Sequence, residues 1–175
     1  LSRRRLQKTV GGDGPLVETD HLGPGCDSET GQTDKVSSPL DGSVLTTTAA
    51  GSKGDTERAI AAARRAFDDK RWRGMPPAAR KKIMLRWAEL IEAEMLDLAV
   101  LGVRNNGTEI GMALKAEPGS AIATLRFYAE AIDKVYGEIA PTPGDVLGLI
   151  HREPIGVVAA IIPWNFPLMI GAWKL

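Results

Sequence analysis

The segment Pro163-Trp164-Asn165-Phe166-Pro167 holds the residues best suited to chemistry. Two prolines fix φ on either side of one polar amide, so the loop is stiff. It follows the apolar run 157–162, and Asn165 is the one strongly polar side chain among its neighbours. A neutral amide donor held rigidly at the end of a strand suits stabilisation of an oxyanion. The other reading is an asparagine that satisfies backbone groups within its own turn. Loop chemistry alone leaves both open.

Other candidates carry less. The single cysteine, Cys26, lies in a Gly-, Asp-, Ser- and Thr-rich stretch, whereas a reactive thiolate needs an electropositive surrounding. One cysteine excludes an internal disulfide framework and a cysteine-rich zinc site. The two histidines, His21 and His151, are far apart, so no metal site is expected. Gly11-Gly12-Asp13-Gly14 looks like part of a phosphate-binding loop. It lacks the third glycine and the preceding strand that such a loop needs. Asn106-Gly107-Thr108 matches a glycosylation acceptor, and without a secretion signal it reads as a turn.

The chain has 175 residues, with 22 basic and 22 acidic side chains and no net charge. That balance argues against a nucleic-acid binder and against a polybasic membrane-surface protein. Hydrophobic residues at 43% and charged residues at 25% are ordinary for a globular protein. No apolar run approaches the ~20 residues needed to cross a bilayer. Arg3-Arg4-Arg5 has no apolar stretch behind it, so no signal peptide is expected and a cytoplasmic location follows. The chain starts at Leu1 and stops at Leu175, inside a helix expected from Pro167. A piece of a longer protein is therefore the expectation.

Several elements must position the loop. Residues 1–35 show no periodicity and read as a disordered or variable arm. A turn at 38–43 leads into a short strand at 44–48. Asp55 is placed as N-cap of a helix over 56–69, with Ile60, Ala63 and Phe67 on its apolar face. Met84, Trp87, Ala88, Ile91, Met95 and Leu98 form a stripe at steps of three and four, predicting one helix over 77–102. Core packing is the favoured use of that stripe, and a partner groove is the alternative. Asn105-Asn106-Gly107 ends the helix. A third helix is predicted from Glu117-Pro118 to Gly137, with Ile122, Leu125, Ala129, Ile132 and Tyr136 inward. A half-exposed strand is predicted over 147–152. The run 157–162, apolar on both faces, reads as a central strand of a parallel sheet. Ligands bind at the C-terminal ends of such strands.

Three stretches carry a family likeness: Glu153-Pro154-Ile155-Gly156-Val157-Val158, the run Ile162-Pro163-Trp164-Asn165-Phe166-Pro167-Leu168, and Ala172-Trp173-Lys174-Leu175. Together they resemble the first cofactor-domain strand of the NAD(P)-dependent aldehyde dehydrogenase superfamily. Upstream, Pro39-Leu40-Asp41-Gly42, the run 59–67, Arg71-Trp72-Arg73 and Pro76-Pro77-Ala78-Ala79-Arg80 resemble its early turn and first two helices. The run 127–138 is similar to the branch acting on γ-glutamyl-aminobutyraldehyde and related amino-aldehydes. The likeness covers about 36–175.

The resemblance implies an α/β fold: a helical segment, then the first strand of a Rossmann-like cofactor sheet, incomplete in this chain. It implies that Asn165 donates its side-chain N–H to the oxygen of the reacting carbonyl. Ile161, Ile162, Pro163 and Trp164 would lie along NAD, with NADP left open, and Phe166, Ile170 and Trp173 would line the aldehyde tunnel. Lys174 would help to orient Asn165. The substrate would be a small-molecule aldehyde, and the assembly a homodimer or homotetramer, with no nucleic acid or membrane partner. In the family a thiolate attacks the aldehyde, hydride leaves to NAD, and water hydrolyses the thioester. The family's thiol, general-base glutamate and glycine-rich turn lie later in the chain, and Cys26 is not in the thiol's context. Gly107-Thr108-Glu109-Ile110 stands where the family has Gly-Lys-Pro.

Two expectations follow for the 175 residues alone. They oxidise no aldehyde, and with the 157–162 strand left bare they are poorly soluble or partly unfolded. The alternative to an enzyme is an inactive truncated product acting as a binding or interaction module.

Overall fold

The structure, a computed structural model, describes residues 28–175. Gly11-Gly12-Asp13-Gly14, His21, Cys26 and the first 27 residues of the expected arm lie outside the described residues. The last residues of that arm, from Ser28, form a turn and enter strand β1, Thr33–Ser37. β1 pairs antiparallel with β2, Val44–Ala49, from Thr33↔Ala49 to Val36↔Thr46, with a register shift before Ser37↔Val44. Asp41 closes the turn by accepting from the Ser43 amide and hydroxyl, and Gly42 takes φ 73°.

Helix α1 is Lys53–Asp68. Its N-cap is Ser52 rather than the expected Asp55. Ser52-Lys53-Gly54-Asp55 has the spacing of a capping box, so the acid three residues on answers the cap. Ser52 Oγ accepts the Asp55 amide at 3.1 Å, and the Asp55 carboxylate accepts the Ser52 amide at 2.8 Å. The same buried carboxylate accepts the Ser28 hydroxyl at 2.7 Å, the Glu29 amide at 3.2 Å and the Arg58 guanidinium. The Ser28 hydroxyl, the Ser52 amide and the other donors hold the Asp55 carboxyl well below the usual range. Residues 28–29 are thereby fastened to the start of α1.

The single helix expected over 77–102 is two: α2, Pro77–Ala93, and α3, Met95–Asn106, broken at Glu94 with φ −111° and ψ 19°. The apolar stripe keeps its spacing through the break, so periodicity could not reveal it. Gly107 ends α3 in the left-handed conformation, its amide on the Val103 carbonyl at 2.8 Å. α4, Ile110–Leu114, is capped by Glu109, which accepts the Gly111 and Met112 amides at 2.8 Å each. Lys115–Gly119 is a single π-helical turn. Pro118 has no N–H to return to the Leu114 carbonyl, and Gly119 sits close enough that an added Cβ would meet that oxygen at 3.1 Å. α5 then runs Ser120–Ala131. The expected third helix thus starts earlier, under the Glu109 cap. It also stops earlier, and Tyr136, placed on its inner face, is 73% exposed.

β3, Glu138–Ala140, pairs antiparallel with β4, Gly148–Ile150. The strand expected over 147–152 is this three-residue piece. The strand expected over 157–162 does not form: residues 151–163 have no regular structure. Val158 is 70% and Ile161 93% exposed. A two-faced strand needs ladder partners and cover on both sides, and no described strand pairs with it. α6, Pro167–Lys174, follows as expected.

The core lies where α2 and α6 meet α5. Ala88, Ile91, Ala121, Ile122, Leu125 and Ala172 fill it, with Met84, Met95, Leu98 and Leu168 packed at its margin. Alanines at these contacts let the helices approach closely. Most of the α2–α3 stripe is spent here, although Trp87 remains 38% exposed.

Candidate active-site loop

The loop 163–167 joins the extended run to α6. Pro167 at the first helical position presets φ for the helix. Phe166 is the N-cap and offers no capping side chain, which leaves the Leu168 and Met169 amides unsatisfied from within the helix. Glu117, on the π turn, supplies the acceptor from outside. Its Oε2 accepts the Leu168 amide at 2.9 Å and the Met169 amide at 3.1 Å. Glu117 is only 4% exposed. A second tie comes from the end of α3, where Asn106 Nδ2 donates to the Asn165 carbonyl at 2.9 Å. Asn106 Oδ1 is itself fixed by the Thr108 amide at 2.9 Å.

The tie at Asn165 therefore uses the main chain, and the residue sits at an exposed position. Pro163 and Trp164 are exposed as well, so the loop itself builds no apolar enclosure around Asn165. Ile161 is 93% and Trp164 76% exposed, while Ile162 leans over α6, its Cδ1 3.5 Å from where a Cβ on Gly171 would stand. Phe166 and Ile170 are half-buried. Trp173 points to a separate cavity of about 630 Å³, shared with Trp72, Arg80, Tyr128 and Lys174. The structure thus groups Phe166 and Ile170 at the start of α6 and puts Trp173 and Lys174 at its far end.

A cavity of about 570 Å³ lies between the β1–β2 hairpin, α3 and the start of α6, lined by Val36, Leu45, Leu98, Arg104, Glu117 and Leu168 among others. Among the described residues, buried Glu117 Oε1 has no hydrogen-bond partner. Among the described residues no group of three or more His, Cys, Asp or Glu could hold a metal ion. Nor is any described helix long and apolar enough to cross a membrane.

Sequence reasoning missed Glu117 and Asn106. Glu117 was legible only as the residue before a helix-starting proline, and Asn106 only as part of a turn. Their connection to 165–169 spans more than fifty residues, which no local pattern shows.

The sequence profile of the aldehyde dehydrogenase family matches residues 26–175. The chain belongs to the aldehyde dehydrogenase family. The match begins at 26 rather than 36, which agrees with the bonds of Ser28 and Glu29 to Asp55. An aminoacetaldehyde dehydrogenase of Pseudomonas aeruginosa is 44% identical over 145 residues, covering 83% of this chain and 29% of the relative. The NADP/NAD-dependent aldehyde dehydrogenase PuuC of Escherichia coli is 44% identical over 137 residues, covering 78% of this chain and 28% of the relative. The crystal structure of a gamma-glutamyl-gamma-aminobutyraldehyde dehydrogenase from Burkholderia cenocepacia superposes with a TM-score of 0.82 at 44% identity, over 85% of this chain and 30% of that one. The chain has the family's fold and spans about 30% of the length of these proteins.

Proposed function

We propose that this chain carries the oxyanion-binding part of an NAD(P)-dependent aldehyde dehydrogenase that oxidises an amino-aldehyde to a carboxylic acid. One observation carries the reading. The stiff loop 163–167 is tied through main-chain groups at Asn165, Leu168 and Met169, and the Asn165 residue is exposed at its tip. A loop whose main chain is held this way sets where the Asn165 amide stands, and a donor already in place limits reorganisation when charge develops on the carbonyl oxygen. Relatives named for amino-aldehydes, at 44% identity, support the substrate class.

In this reading Asn165 donates its side-chain N–H to the oxygen of the tetrahedral adduct. Ile161, Ile162, Pro163 and Trp164 form one wall of the cofactor cleft. Their fit is physical: exposed apolar faces at Ile161 and Trp164 adjoin a backbone whose N–H and C=O groups no strand uses. Held against that wall, NAD or NADP would supply the hydride acceptor. Phe166 and Ile170 exclude water from the aldehyde side, and Trp173, which lines a separate cavity at the far end of α6, is left out of that wall. The nucleophilic thiol and general base are not assigned to any residue of this chain. The reading places the enzyme in the cytoplasm as a homodimer or homotetramer, on the strength of the family likeness.

The test is spectrophotometric. The protein as encoded by its gene is followed by NADH absorbance with aminoacetaldehyde. Turnover dependent on both reactants is expected, and Asn165→Ala is expected to lower kcat by about 10²–10³-fold. Residues 1–175 alone are expected to stay at blank. A full gene product without aldehyde-dependent NADH formation, or an Asn165→Ala protein as fast as the parent, sinks the reading.

A further inference from the structure

The start of α6 is held by a residue that sequence and family likeness leave without a role. We propose that Glu117 is a positioning residue for Asn165: by capping α6 from the π turn, it fixes the direction in which the 163–167 loop presents the Asn165 amide. The inference rests on the reading of Asn165 as an oxyanion donor.

The argument begins with the helix end. The first N–H groups of a helix have no partner inside it. Phe166 cannot cap them, and both amides at Leu168 and Met169 are taken by one Glu117 oxygen. A carboxylate at a helix N-terminus is favoured by the macrodipole, and its bonds to amides are charge-assisted. Asn165 lies one residue before the N-cap, so the orientation of the first helical turn and that of Asn165 are coupled through Phe166 alone. The Asn106 tie fixes the Asn165 carbonyl. With the carbonyl held on one side and the helix start on the other, the backbone at Asn165 has little freedom left.

The chemistry of the site argues against mere space-filling. Glu117 Oε1 is buried with no partner among the described residues, beside a mostly apolar-walled cavity. A buried polar atom without a partner is unfavourable, and an apolar residue would fill the space without that cost. The glutamate also occupies an irregular stretch. The Lys115–Gly119 turn departs from α-helix between α4 and α5, and single π turns are frequent at functional sites. That turn places Glu117 against α6, so the geometry of α4–α5 sets the reach of the carboxylate.

The experiment compares the ¹⁵N-labelled protein as encoded by its gene with its Glu117→Ala and Glu117→Gln variants. In Glu117→Ala, exchange of the Leu168 and Met169 amides is expected to rise about tenfold or more. The Asn165 side-chain NH₂ signals are expected to move, while the Ile91 and Ala99 amides keep theirs. Glu117→Gln retains a neutral acceptor, so a smaller rise confined to the same two amides is expected. Unchanged Leu168, Met169 and Asn165 signals in Glu117→Ala overturn the proposal. If Glu117→Ala does not fold, Glu117→Gln decides, and unchanged exchange at Leu168 and Met169 overturns it. The same proteins are assayed for turnover. Glu117→Ala is expected to lose about 10-fold to 100-fold in kcat with little change in KM, as misplacement of a catalytic group does, and Glu117→Gln is expected to recover most of it. Moved amides with an unaltered kcat overturn the positioning role. A parent protein without turnover removes the proposed activity instead, and the amide signals still decide whether Glu117 holds the loop.

Discussion

The helices from Pro77 to Ala131 bury a core, and the stretch from β3 to Trp164 buries no residue fully. In the first, Leu125 is 2% exposed and Ala88, Ala99, Ala121 and Ala129 are fully buried. In the second, Ile139, Leu147, Leu149, Ile155, Val158 and Ile161 all stand more than 70% or about 70% exposed. The second stretch is about as hydrophobic in sequence. What differs is whether a neighbour comes from within the described chain. α2 finds α5, and α5 finds α6. The run 157–162 finds no strand. The residues proposed for chemistry, from Ile161 to Ile170, sit where the two stretches join. Two polar side chains of the helical part, Asn106 and Glu117, hold that junction. Stability and the proposed chemistry therefore reside in different segments, and a few hydrogen bonds couple them.

The largest effect tests that division directly. Leu125→Ala removes a side chain that is 2% exposed at the α2–α5 contact. It is expected to destabilise the protein by about 2–5 kcal/mol. Ile161→Ala in the 175-residue chain, at 93% exposure, is expected to change stability by no more than ~0.5 kcal/mol. Urea melts of both variants measure the contrast. A comparable loss from Ile161→Ala means that the 157–162 run is covered in solution, and the division fails.

An acid titration probes the fastening of residues 28–29 to α1. The Asp55 carboxyl lies below its ordinary value of 3.8 in the folded chain. Between the folded and unfolded values the unfolded state binds more protons, so stability rises with pH there. The contribution is complete above the ordinary value and is lost as pH falls through the depressed one. Glu29, lowered chiefly by the Ser52 hydroxyl and then by Arg58, acts with the same sign. Urea midpoints at about pH 5 and about pH 3 are expected to differ, with the lower value at lower pH. Asp55→Asn is expected to reduce the midpoint at the higher pH and to flatten this dependence. A parent-like slope in Asp55→Asn assigns the acid sensitivity elsewhere.

What the sequence made legible follows the range of the interactions. Helices α1, α2, α5 and α6 were readable because apolar spacing and proline starts are local signals. The Asn165 loop was readable because five adjacent residues carry its stiffness and its polar group. The break at Glu94 was not, since the stripe Met84–Leu98 keeps its spacing across it. Ser52 and Asp55 exchanged roles because Ser and Asp are both good caps, and only the three-residue offset tells which leads. The apolar run 157–162 carries strand composition, but a strand is a pairing, and pairing depends on another segment. Glu117 and Asn106 were invisible for a related reason: each acts on a residue more than fifty positions away.

The smallest expected effect compares the two stretches through ion pairs of similar exposure. Arg126 on α5 bonds Glu92 on α2, with Nη2 to Oε2 at 2.5 Å and side chains 45% and 52% exposed. Arg152 bonds Glu138 across the β3–β4 hairpin at 2.6 Å, with side chains 59% and 60% exposed. Solvent screening limits each exposed pair to about 0.2–1 kcal/mol. The two are expected to divide within that range. The Arg126–Glu92 pair joins helices that unfold with the core, so its coupling energy registers in the global melt. Strands of three residues joined only to each other open before the core does. Double-mutant cycles to alanine at 92/126 and at 138/152, read by urea denaturation, are expected to give a measurable coupling for the first and one near zero for the second. A coupling at 138/152 equal to that at 92/126 would mean that the hairpin unfolds with the helices, and the two stretches would then be one cooperative unit.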